Sequence, residues 1–377
     1  MKWLTAKLQL TLAERDPSVD FLRGLAIFSV IALHFAMIYS SAEPDNPRFF
    51  SLFFWRPLSR NGYLGVSTFF VISGYLITKG ALIRWGSLKQ LPLFNFYVLR
   101  FARIVPPLLM LAAAYITLFF LDEPTFPINL EKVTTGELLF GILTLRIWQY
   151  PVCGFAIGVL WSMSLEETFY VAFPLVVRLL RLPWLIALFL VGSIVYAIYY
   201  RSVAGQYNAF FTFFGIFDLL SLGCLLALFR KYYPLLAQRF EHKGLHRLAL
   251  LCVLSVYLYS HDIDHFIIHP SLMGAAAAMF ILTSDSASSA SVYQGWFATL
   301  IRLMGIYSYE IYLSHIIVGQ LMKVYIFDSL HEFPVFNGAI DVFFLMYWAS
   351  VTLVSVVFHH YYSEPTRHWI KRIARSK

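Results

Sequence analysis

Arg23 and His34 stand in "FLRGLAIFSVIALHF" (21–35), a stretch otherwise apolar except for Ser29. On an ideal helix that spacing turns about 1100° and rises about 16 Å, so both side chains project from one face. A guanidinium is permanently charged and an imidazole titrates near neutrality. The pair therefore joins a fixed cation near one end of the run to a proton acceptor deep inside it. The plainer alternative is a snorkelling arginine and a histidine bonded to a nearby carbonyl. In "AIGVLWSMSLEETFYVAFPLVV" (156–177), Ser162, Glu166 and Tyr170 share a face. Counted from the outer end of that run, Glu166 falls at the depth of His34, which predicts an acid–base pair; the alternative is a carboxyl bonded between helices. His315 in "SYEIYLSH" and Asp218 in "FGIFDLLSLG" reach similar depth, and Glu310 lies nearer the entrance. They read as polar glue between helices or as direct participants.

Arg100 and Arg103 in "VLRFARIVPP" stand three apart on one helical face, preceded by Arg84 and Lys89. Their planar forks suit phosphate; ordinary topology-setting charge is the other reading. Pro106 and Pro107 are expected to bend or begin the helix, and Ser73-Gly74 in "FFVISGYLIT" permits close helix approach.

The elements that position these groups must lie in a bilayer. Of 377 residues, 59% are hydrophobic and 13% charged, about half the charged share of a soluble domain. The expected fold is an all-α polytopic integral membrane bundle of about ten transmembrane helices with both termini cytoplasmic. Apolar runs fall at 21–40, 62–78, 104–121, 156–177, 184–200, 210–229, 248–260, 266–283, 303–325 and 340–362. With the N-terminus inside, 21 of the 29 basic residues fall in cytoplasmic segments, as the positive-inside rule requires. Counting the short stretch 137–150, which holds Arg146, as a span would invert the last basic clusters, so it reads as an interfacial or re-entrant helix. The net charge of +8 is thus a topology signal, and no nucleic-acid partner is expected.

The expected organisation is a cytoplasmic segment 1–20, an integral-membrane domain 21–365 and a basic cytoplasmic tail 366–377. Residues 1–20 show no cleavable signal peptide; Trp3, Leu4, Leu8 and Leu12 give them an amphipathic side. Cys153, Cys224 and Cys252 show neither disulfide nor zinc spacing and read as small core residues.

Several of these stretches, in order, resemble the membrane acyltransferase-3 family, which includes O-antigen and nodulation-factor O-acetyltransferases. They are "VDFLRGLAIFSVIALHF", "GVSTFFVISGYLIT", the pair Arg100 and Arg103, "LWSMSLEETFYVAFPLV", "IYSYEIYLSH" and "SEP" at 363–365. Met163 interrupts the usual "WSL", and Tyr75 stands where Phe is common. The resemblance implies transfer of an acyl group, usually acetyl, from cytoplasmic acyl-CoA to a hydroxyl of a carbohydrate or lipid-linked glycan, with no metal. It carries the donor-binding and catalytic motif to Arg23 and His34, the arginine pair to Arg100 and Arg103, and the glutamate to Glu166. Some members add a soluble hydrolase-like C-terminal domain, which this sequence is not expected to carry.

Acyl transfer from a thioester needs a base, oxyanion stabilisation and a held donor. The expected roles are His34 as general base, with an acyl-imidazole intermediate as the variant, Glu166 orienting the imidazole or sharing its proton, and Arg23, Arg100 and Arg103 clamping phosphate. The outer loops, including 47–61, are expected to shape acceptor choice. The competing class is a transporter of a sugar or small polar solute, since midplane polar groups serve either; against it, no inverted repeat is seen. A structural or lipid-flipping membrane protein is a third reading.

Overall fold

The computed structural model describes residues 15–39, 57, 59–120, 160–259, 266–284, 293, 295–327 and 340–375. The amphipathic stretch at 3–12, the 137–150 segment, Cys153 and most of 47–61 lie outside them. The described residues are helical with no strand. The main helices are α1 (Pro17–Tyr39), α2 (Tyr63–Trp85), α3 (Leu93–Phe120), α4 (Trp161–Leu180), α5 (Pro183–Val203) and α6 (Phe217–Tyr232). They continue with α7 (Lys243–Leu258), α8 (His269–Leu282), α9 (Trp296–Ile306), α10 (Ser308–Met322), α11 (Ile340–Phe358) and α12 (Glu364–Arg375). Among the described residues, five stretches are long and apolar enough to cross a membrane: α1, α2, 93–114 of α3, α5 and 342–373, which joins α11 to α12. α8 and α9 are shorter apolar helices.

α1 begins ahead of its apolar run for a local reason. The Asp16 carboxylate accepts from the backbone N–H groups of Ser18 (3.1 Å) and Val19 (3.3 Å), with Pro17 at the first helical position. That is an N-cap followed by a residue whose missing N–H costs nothing there. The early start carries Asp20 into the buried interior, where Arg15 holds it in a 2.7 Å ion pair. Pro106 and Pro107 lie inside α3 and do not begin it.

Glycine sets the closest crossings. A Cβ on Gly24 would collide with the Ile301 carbonyl, and one on Gly305 with the Asp20 carbonyl, so α1 and α9 meet backbone to backbone. Gly74 and Gly223 do the same for α2 and α6. In lipid, where no hydrophobic force draws helices together, this packing is a main source of association.

The apolar run 303–325 joins two helices of opposite direction: its first residues end α9, and the rest form α10 and a π-helical turn at Lys323–Phe327. α9 pairs with α1 in descending order (Asp20 beside Gly305, Gly24 beside Ile301). α10 pairs with it in ascending order, through Arg23 with Ser308, His34 with His315 and Tyr39 with Gly319. The chain turns at Tyr307 (φ −90°, ψ 7°), in the sparsely populated bridge region. Hydropathy cannot register a turn between two equally apolar helices.

α11 runs antiparallel to α10, since Glu310 meets His359, Ser314 meets Ser355 and the His315 carbonyl meets Tyr347. α2 runs antiparallel to α1, with Gly62 against Ser29 and Leu33 and Gly65 against Ala26 and Val30. The start of α1, the end of α2, the start of α10 and the end of α11 therefore converge at one end of the bundle. Away from that end, Asp218 is paired with Arg201 (2.8 Å), both fully buried, with Ser271 and the Gly215 and Ile267 carbonyls in the same cluster. Asp218 is thus interhelical glue. Cys224 is buried as expected, but Cys252 faces outward on α7, because that helix buries Ala249 and Val253 instead.

Candidate active site

Two cavities share walls at the convergent end. The entrance cavity, about 370 Å³, is lined by Arg15, Asp20, Arg23, Lys79, Arg103, Glu310 and Arg367, among others. The inner one, about 80 Å³, is lined by Arg23, Ser73, Arg103, Ser162, Glu166, Ser308 and Tyr312, among others. Arg23, Leu76, Arg103 and Tyr309 belong to both, so entrance and interior are contiguous. Arg23 is buried and donates from Nη2 to Ser308 Oγ at 2.8 Å. Its guanidinium stands at the threshold between the cavities, and among the described residues no carboxylate forms an ion pair with it.

Arg100 and Arg103 diverge. Arg103 faces both cavities. Arg100 does not line either; its guanidinium lies 5.5 Å from the Phe96 ring centroid and 5.4 Å from that of Tyr170, in reach of cation–π attraction. It lies behind the cavity wall, on the ring whose hydroxyl holds Glu166.

Glu166 accepts from both Ser73 and Tyr170 on one carboxylate oxygen. Its level differs from the expected one. Ser73 lies eight residues past Gly65 on α2, about 12 Å further toward the start of α1. Glu166 therefore stands near Arg23, not near His34. The expectation assumed both helices presented the same depth at a given residue count, and interhelical register decides otherwise. Ser162, Glu166 and Tyr170 do share one face, as the spacing requires.

His34 has a different partner. Its Nδ1 lies 2.9 Å from the Val30 carbonyl and 3.2 Å from His315 Nε2. His315 is fully buried, with its Nδ1 2.7 Å from the Tyr312 carbonyl. A carbonyl only accepts, so both Nδ1 atoms carry the proton when the rings are neutral. His34 Nδ1–H is then shared between the Val30 carbonyl and His315 Nε2, and the basic lone pair of His34 is on Nε2. The same network links back to the inner cavity, because the Tyr312 hydroxyl is 2.7 Å from Ser162 Oγ in its wall. Arg23 and His34 both address α10, so they do share one face of α1.

The arrangement supplies cations at an entrance, a hydrogen-bonded carboxylate inside, and an oriented imidazole beyond. An acyltransferase domain family model matches residues 16–359, nearly all of the chain. The chain belongs to the acyltransferase-3 family.

The chain is similar to the peptidoglycan O-acetyltransferase OatA of Listeria monocytogenes, at 27% identity over 79% of this chain and 48% of the relative. It is also similar to the O-acetyltransferase OatA of Staphylococcus aureus (strain NCTC 8325), at 24% identity over 89% of this chain and 55% of the relative. The chain thus spans about half the length of these relatives. No solved structure matches it. Membership favours an enzyme over the transporter reading. Sequence reasoning gave His315 the right depth but no partner; a second histidine in an apolar helix was the available signal.

Proposed function

We propose that this acyltransferase is an integral membrane O-acyltransferase. It moves an acyl group, acetyl by preference, from acyl-CoA to a hydroxyl of a carbohydrate or glycolipid. The observation that carries the reading is the face of α1: Arg23 opens onto the charged cavities, and His34, about 16 Å further along, presents an imidazole whose tautomer the Val30 carbonyl sets and whose ring meets His315. The names of the two relatives support an acetyl group and, in one case, a peptidoglycan acceptor.

In this reading the donor's phosphates stay at the entrance with Arg23 and Arg103, and its thioester arm reaches inward past Glu166. The acceptor hydroxyl gives its proton to His34 Nε2 as its oxygen attacks the thioester carbonyl. The tetrahedral intermediate collapses, the carbon–sulfur bond breaks, and the leaving thiolate takes the proton back from His34. Ester and free coenzyme A result. Glu166, bonded to Ser73 and Tyr170, acts on the donor's side, and Arg100 acts through the Tyr170 ring. We further propose about ten spans, with the cavity end and both chain ends cytoplasmic, in a bacterial cytoplasmic membrane. The distribution of basic residues supports that orientation.

The test uses protein in proteoliposomes with radiolabelled acetyl-CoA at the cavity side. Free coenzyme A is followed with and without a crude extract of cell-envelope glycans, beside His34→Ala. Glycan-stimulated release that His34→Ala abolishes is the expected outcome. No release, and no donor binding by calorimetry, would overturn the reading.

A further inference from the structure

The carboxylates of the entrance cavity are largely occupied. Asp20 pairs with Arg15, Asp16 caps α1, Glu310 accepts from His359 Nδ1 (2.9 Å), and Glu364 lies 3.8 Å from His360. Four cations in the wall are left without an ion pair among the described residues: Arg23, Lys79, Arg103 and Arg367. Like charges so grouped repel one another, and the cavity is suited to a polyanion that relieves them.

Two of its polar groups are also orphaned. Ser363 is buried (7% exposed) and its Oγ has no hydrogen-bond partner among the described residues; nor has the buried Nε of Arg367. Buried polar atoms are rarely left so. Both sit where α11 passes into α12 through a π-helical turn at His359–Ser363, a distortion frequent at functional sites. Lys79 enters from the end of α2, its ammonium 5.2 Å from the Tyr75 ring centroid.

We propose that the junction of α11 and α12 completes the donor site, with Ser363 of the π-helical turn, Arg367 of α12 and Lys79 of α2 holding the diphosphate and phosphomonoester of the thioester donor, outside Arg23 and Arg103. The proposal rests on the acyl-CoA reading and extends it to residues outside the arginine motifs. The geometry divides the labour. Arg23 and Arg103, shared by both cavities, guide the arm inward, and the three new residues grip only the phosphate-rich head. A phosphate oxygen offers Arg367 the charge-assisted bond that its Nε lacks.

The test is calorimetric binding to the full chain in nanodiscs, using coenzyme A, inorganic pyrophosphate and pantetheine as probes. Wild type is compared with Arg367→Gln, Lys79→Gln and Arg367→Lys. The expected result is an affinity for coenzyme A and pyrophosphate reduced at least about tenfold in both glutamine variants. Arg367→Lys should recover part of it, and pantetheine binding should not move. Glutamine variants that bind both phosphate probes like wild type would overturn the cradle while leaving the donor reading intact. Pyrophosphate bound in an Arg367-dependent way with no affinity for coenzyme A would keep the cradle and remove the donor reading. Failure to bind either phosphate probe would remove both. Lys79, half-exposed at the end of α2, keeps the test available if Arg367→Gln does not fold.

Discussion

His34 Nδ1 lies 3.2 Å from His315 Nε2, and each ring's Nδ1 is also within hydrogen-bond distance of a backbone carbonyl of its own helix. The Val30 and Tyr312 carbonyls thereby set the tautomer of each imidazole, and the two rings meet across α1 and α10. In the proposed reaction His315 would orient His34 much as a buried aspartate orients the histidine of a serine hydrolase.

His34→Ala should lower turnover by about 10²–10⁴-fold, the usual contribution of a general base. His315→Ala should lower kcat by roughly 10–100-fold, in line with partners that orient a functional imidazole, with the donor KM little changed. Steady-state kinetics on both variants check this. A His315 variant with full kcat would mean that the ring is packing alone.

Glu166 is expected to act at the donor rather than at His34. Glu166→Gln and Ser73→Ala should each change the donor KM or the preference for acyl chain length, while the pH profile of kcat keeps the wild-type shape. If Glu166→Gln instead shifted the pH profile and left donor parameters alone, the carboxylate would belong with the histidine after all.

The Arg201–Asp218 pair serves the fold. Asp218→Asn leaves a buried guanidinium without its counter-charge and should destabilise by about 3–5 kcal/mol. Removing both charges together, as Arg201→Met with Asp218→Leu, should recover much of the loss. Thermal unfolding in detergent reads the difference, and the double variant should bind donor with wild-type affinity.

Gly24 and Gly80 offer a matched contrast. A methyl at Gly24 meets the Ile301 backbone, whereas nothing lies within 4 Å of one at Gly80. Gly24→Ala should cost about 1–3 kcal/mol through overpacking, and Gly80→Ala should be neutral or gain up to about 1 kcal/mol from helix propensity. Equal melting shifts for the two would contradict the crossing of α1 and α9.

The sequence by itself determined what depends on one helix at a time. Helical period placed Arg23 with His34, and Ser162 with Glu166 and Tyr170, on common faces, because a face is a property of a single helix. The ordered motifs that mark the family were equally visible. The tertiary structure decided everything that needs two helices: that Glu166 stands level with Arg23, that His34 pairs with His315, and that Arg103 faces the cavity while Arg100 turns behind it. Register between helices is set by a few backbone crossings at glycine and by hydrogen bonds such as Ser73 to Glu166, and apolar runs of similar length carry no record of it. The turn at Tyr307 escaped for the same reason, since hydropathy measures affinity for lipid and is blind to direction.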